Sequence, residues 1–182
     1  MKRLRVKLTL AVVAAGALAI GIVTVAMAGG GHSIRERLTG YQETPALSTP
    51  GVGKFRASIN RGANEIRYRL TYGGLESPAT QSHIHFENRT NAGPIVVFLC
   101  TNLGNGPAGT QACPPAGGTI SGTIRPADVG AGAAAQGLGA GEFDELVRAI
   151  RAGATYVNVH TTGRPAGEIR AQLEDNKHDD KG

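Results

Sequence analysis

The sequence predicts an all-β fold, an antiparallel Greek-key β-sandwich or barrel of about eight strands with one short helix near residues 142–152. Three observations predict it. Short runs of alternating apolar and polar residues recur along the chain, they are punctuated by many of its 27 glycines and nine prolines, and helical periodicity is confined to one stretch.

The first residues, Met1-Lys2-Arg3-Leu4-Arg5-Val6-Lys7, are basic, and Leu8 to Ala28 carries no charge and ends Ala26-Met27-Ala28-Gly29. A basic end, an apolar stretch and an A-x-A ending form the pattern of a secretory signal, with cleavage expected after Ala28. An uncleaved membrane anchor is the competing reading, because this apolar length would also span a bilayer. Residues 1–28 are thus read as a signal peptide, 29–173 as one domain and 174–182 as a charged, disordered tail. Four of the 19 basic residues lie in the signal, leaving 15 against 14 acidic ones. That near-neutral balance argues against nucleic-acid binding and against a charge-driven membrane role, so membrane contact is expected only through an uncleaved N-terminus.

The expected strands are Ile34 to Gly40, Val52 to Ile59, Glu65 to Tyr72, Ser82 to Phe86, Ile95 to Cys100, Gly118 to Ile124, Thr155 to His160 and Glu168 to Leu173. Ile66, Tyr68, Leu70 and Tyr72 alternate with Arg67, Arg69 and Thr71, as in a strand buried on one face. Asn60-Arg61-Gly62-Ala63-Asn64 reads as the hairpin turn before it. Phe143, Leu146, Val147 and Ile150 form a helical stripe that Gly153 can end, and this helix is expected to lid one end of the sandwich. Val129 to Gly141 is mostly Gly and Ala and reads as a mobile loop. Arg164-Pro165-Ala166-Gly167 reads as a tight turn.

Cys100 and Cys113 are the only cysteines, and both follow the signal. In an oxidising compartment such a pair is expected to form a disulfide across a Gly/Pro-rich loop, worth about 2–3 kcal/mol. A two-thiolate metal site is the rival reading, although no histidine or third cysteine stands close in sequence.

The residues with most chemical promise are histidines. In the strand-like His83-Ile84-His85 both imidazoles share a face, and in Tyr156-Val157-Asn158-Val159-His160 the valines oppose Tyr156, Asn158 and His160. If the two strands are neighbours, His83, His85 and His160 converge on the outer, solvent-facing side of the sheet. Three neutral imidazoles suit copper, with zinc second, and leave a coordination position open. Asn158 and Glu168 are the expected orienters. Affinity should fall below about pH 6.5, where free imidazole protonates. The competing reading makes these histidines hydrogen-bonded organisers of strand contacts. No Ser-His-Asp pattern, paired carboxylates or nucleotide-binding strand-turn-helix supports a catalytic site.

Several segments together resemble the CHRD domain, named after the extracellular protein chordin. They are Leu38-Thr39-Gly40-Tyr41-Gln42-Glu43-Thr44-Pro45, Ser82-His83-Ile84-His85, Ala92-Gly93-Pro94-Ile95-Val96-Val97, Tyr156-Val157-Asn158-Val159-His160-Thr161 and Pro165-Ala166-Gly167-Glu168-Ile169-Arg170. The resemblance spans Leu38 to Leu173. Departures are the Cys100 to Cys113 loop, the Gly/Ala stretch before the helix, and Ala171 in place of glycine. It implies an exported β-sandwich in the secreted or cell-envelope space and leaves the activity open; the partners expected of the chain are a metal ion and an extracellular protein or cell-envelope component. The H-x-H strand is also similar to that of copper/zinc superoxide dismutase, but only His83 and His85 correspond. The expected function is therefore an exported metal-binding protein; the alternatives are an interaction module without metal and, more distantly, a redox enzyme.

Overall fold

The computed structural model of the chain describes residues 32–174. Eight antiparallel strands form one sheet: β1 His32–Thr39, β2 Val52–Asn60, β3 Glu65–Gly73, β4 Ala79–Phe86, β5 Ile95–Thr101, β6 Gly118–Ile124, β7 Thr155–Thr161 and β8 Ile169–Leu173. Among the described residues the one α-helix is α1, Phe143–Arg151, between β6 and β7. The signal segment and the tail beyond Glu174 lie outside the described residues, as does the side chain of His32. Among the described residues no helix is long and apolar enough to cross a membrane.

The strand order is β5-β4-β7-β8-β1-β2-β3-β6. The sheet curls into a nearly closed barrel whose edge strands, β5 and β6, meet at a seam. Gln111 bridges that seam: its Nε2 donates to the Leu99 carbonyl on β5 at 3.1 Å and to the Ser121 carbonyl on β6 at 3.3 Å. An edge satisfied by a side chain is no longer a free template for another strand.

Period-two alternation sorts side chains into the barrel. Along β2 burial alternates without a break, and on β3 Ile66, Tyr68, Leu70 and Tyr72 are buried between exposed Arg67, Arg69 and Thr71. With Ile34, Leu38, Phe55, Ile84, Val157, Val159 and Ile169 they make one core. The hairpin expected at 60–64 closes on an Asn60↔Glu65 pair, with Asn64 at φ 47°. Helix α1 buries Phe143, Leu146, Val147, Ala149 and Ile150 and is followed by Gly153 at φ 66°. Cys100 and Cys113 are disulfide-bonded and buried. That excludes the two-thiolate reading, because neither sulfur retains a thiolate for a metal.

Residues 129–141 correct the expectation of a mobile loop. Val129, Ala133 and Leu138 are buried, and the Gly130 N–H donates to the Val96 carbonyl at 2.8 Å. A Cβ at Gly132 would stand 2.0 Å from the Ile95 carbonyl oxygen. Glycine is needed here because two backbones touch. Composition alone suggests flexibility; the close approach gives the same residues a packing role.

Candidate metal centre

Strands β4 and β7 are antiparallel neighbours, with His83 opposite Asn158, His85 opposite Tyr156 and Gln81 opposite His160. His160 is therefore diagonal to His83, within reach of a long side chain across the pleat. One ring nitrogen from each of His83, His85 and His160 lies within 4.8 Å of the others. The three imidazoles form a group that could hold a metal ion.

Two of the rings are aimed by backbone carbonyls. His85 Nδ1 lies 2.8 Å from the Gly93 carbonyl and His160 Nδ1 2.9 Å from that of Pro165. A carbonyl can only accept, so both rings are protonated on Nδ1 and carry their lone pairs on Nε2. His83 Nδ1 then donates to His160 Nε2 at 3.2 Å. What remains are His83 Nε2 and His85 Nε2, buried lone pairs with no hydrogen-bond partner among the described residues. Each such orphan costs about 1–3 kcal/mol.

Burial keeps these rings neutral. It pushes the His83 pKa down to about 2, helped by the neighbouring His160 and His85. It pushes His85 down to about 4, against the opposing hydrogen bond to Gly93. His160 is also lowered by burial, although its bond to Pro165 works the other way. Neutral imidazole is the form a metal would require, and burial keeps the rings in it below the pH of about 6.5 at which exposed rings protonate.

The position of the site corrects a second expectation. His83 is 0 % exposed and His85 and His160 are each 6 % exposed, so the cluster is not on the protein surface. The valines face the core as expected, but the opposite side of β4, β7 and β8 is roofed by loops. Arg170 Nη1 donates to Thr44 Oγ1 and the Asn91 carbonyl, and its Nη2 to the Asn88 carbonyl. Gln172 Nε2 donates to the Glu87 carbonyl at 2.9 Å. These bonds fasten the segments around residues 44 and 87–91 over the sheet.

Beneath that roof the Arg170 guanidinium lies 3.4 Å from the centre of the Tyr156 ring, which stacks on His85 at 4.6 Å with planes 2° apart. Tyr156 is thus layered between a cation and an imidazole. Its phenol oxygen accepts the Gly93 N–H at 3.1 Å, so one residue, through its N–H and its carbonyl, ties Tyr156 and His85 together. On the other flank Phe98 meets His83 edge-on at 4.4 Å.

Of the two expected orienters, Asn158 is buried beside His85 and Glu43. Glu168 directs its carboxylate elsewhere. Oε1 accepts from Thr49 Oγ1 and the Glu76 N–H, and Oε2 from Thr161 Oγ1. No imidazole is among its hydrogen-bond partners. Carbonyls of Gly93 and Pro165 orient the rings instead, and backbone groups leave no residue-type signal in a sequence. Glu43 is the other participant missed. Burial raises its pKa to about 7, against the charge of Arg170 and hydrogen bonds from Thr44 and Asn158.

The family model of the CHRD domain matches residues 34–173, which takes in every residue of this site. No curated protein and no solved structure matches the chain.

Proposed function

Since the chain belongs to the CHRD domain family, whose setting is extracellular, we propose that it is an exported protein that binds one transition-metal ion through His83, His85 and His160, copper ahead of zinc. Export follows from residues 1–28 acting as a signal peptide cleaved after Ala28. The mature protein is then residues 29–173 with a charged tail at 174–182.

The observation that carries the reading is the pair of buried, unpartnered lone pairs on His83 Nε2 and His85 Nε2 beside His160. A bound ion could take up these lone pairs, and that of His160 Nε2 as well once the His83 hydrogen bond gives way to it. The donor set is all nitrogen, since both cysteines are disulfide-bonded and no carboxylate belongs to the ligand group. Neutral imidazoles favour Cu(II) over Zn(II) by the Irving–Williams order. Asn158 is assigned a positioning role beside His85.

A second reading has its own observation. The His83 to His160 hydrogen bond closes part of the cluster without an ion, as suits an extracellular interaction module whose histidines hold β4 to β7.

Native mass spectrometry separates the two. After loading with Cu(II) or Zn(II) and gel filtration, the protein should retain one equivalent, with copper displacing zinc in competition. His83→Ala and His160→Gln should each lose it while circular dichroism reports an intact sheet. A folded parent protein that retains no metal refutes the metal reading and leaves the interaction module.

A further inference from the structure

The near-neutral charge balance conceals a one-sided distribution that becomes visible once the strands are paired. Residues Arg35 and Arg37 of β1, Lys54 and Arg56 of β2, and Arg67 and Arg69 of β3 are all exposed. They share the outward face of three adjacent strands. Register places Arg35 opposite Arg56, Arg56 opposite Arg69, and Arg37 opposite Lys54. With strands about 4.8 Å apart and same-face residues about 6.8 Å apart, the six cations occupy roughly 10 Å by 14 Å.

Folding gains nothing from this arrangement, because like charges directly opposite one another destabilise a sheet. Glu65 pairs with Arg67 at 2.8 Å and with Arg125 at 3.2 Å, at one end of the array. Among the described residues Arg35, Arg37, Lys54, Arg56 and Arg69 have no carboxylate within ion-pair distance. Five cations that no described carboxylate pairs with share one outward face of the barrel wall, at a cost to stability.

We propose that the outward face of β1, β2 and β3 is a docking surface for a linear anionic glycan, a polysaccharide carrying sulfate, phosphate or carboxylate groups. The row Arg35, Arg56, Arg69 runs straight across the strands and ends on Ser121 of β6, which pairs with Arg69. Guanidinium groups bind such anions with two parallel hydrogen bonds. Hydroxyl groups flank the row: Ser58 on one side, and on the other Thr71 and Thr119, whose oxygens lie 2.8 Å apart. Cations interleaved with hydroxyls match a polymer that alternates anionic groups with sugar hydroxyls.

The face lacks what other polyanions use. Its outward side chains include no aromatic ring for a base to stack on. Val52, at one end, is its only apolar side chain, so little could insert among lipid tails. Encounter with a glycan rests on the export reading and is independent of the histidine centre.

The test uses dextran sulfate as the probe. Isothermal titration of the purified protein should show binding whose log K falls with log salt at a slope of about 3.5, as for five released counterions at about 0.7 each. In the triple variant Arg35→Thr, Arg56→Thr, Arg69→Thr the slope should drop to about 1.5 and affinity at low salt at least tenfold. Its melting temperature should equal or exceed the parent's, since repulsion is relieved. The control triple Arg61→Thr, Arg148→Thr, Arg164→Thr removes the same charge elsewhere and should bind within about twofold of the parent. Equal losses in the two triples, or no loss in the first, would overturn the proposal. So would equal or tighter binding of phosphatidylglycerol vesicles or duplex DNA at matched anion concentration.

Discussion

Acidifying the metal-free protein from pH 6.5 to pH 4.5 should destabilise it through its buried histidines, and the size of the loss can be worked from their surroundings. His83 and His85 are held by burial at about 2 and about 4, against about 6.5 in an unfolded chain. Below pH 6.5 the unfolded state takes up protons that the folded state refuses, so stability falls with pH. Over this interval each ring costs about 2 kcal/mol by linkage, or about 4 kcal/mol for the two. His160 is lowered in the same direction and adds to the loss.

Glu43 works against it. Its folded pKa is raised to about 7, so over the same interval the folded state is the one that binds the proton. That contribution is lost as pH rises and regained on acidification, returning about 2 kcal/mol by linkage. Urea denaturation of chelator-treated protein at pH 6.5, 5.5 and 4.5 measures the net effect. Glu43→Gln removes the offset, and its loss should exceed the parent's by about 2 kcal/mol. If the two proteins lose stability in parallel, or if the parent gains stability on acidification, this account of the buried cluster is wrong.

Reduction of the Cys100 to Cys113 disulfide, checked by free-thiol titration and a thermal melt, should cost about 2–3 kcal/mol, or about 5–10 °C for a domain of this size. Gly132→Ala places a methyl group 2.0 Å from the Ile95 carbonyl oxygen and should cost about 1–3 kcal/mol by urea denaturation. Gly137→Ala has nothing within 4 Å and suffers only from its φ of 86°, so about 1 kcal/mol is expected there. Leu146→Ala empties a site on α1 that is 0 % exposed and should cost about 2–5 kcal/mol in the same assay.

Much of the barrel was legible because its signals are local. All eight expected strands are present, with ends moved by a few residues. The stripe Phe143, Leu146, Val147 and Ile150 was readable because a helix repeats every 3.6 residues. The facing of Val157 and Val159 against Asn158 and His160 was readable for the same kind of reason, since strands repeat every two. Exposure was not. Tyr156, Asn158 and His160 lie on the side opposite the valines, yet all three are buried. Their cover comes from loops that Arg170 ties down across 79 to 126 positions of sequence.

By itself, then, the sequence determined the strands, the face each side chain takes, and the three imidazoles available as ligands, because backbone geometry imposes those periods on any chain. Only the tertiary structure decided which strands are neighbours. That choice set His160 of β7 beside His83 of β4, aligned Arg35, Arg56 and Arg69 across three strands, and laid Gly132 against Ile95. Pairing is settled by the joint burial of every apolar face at once, a property no single segment contains.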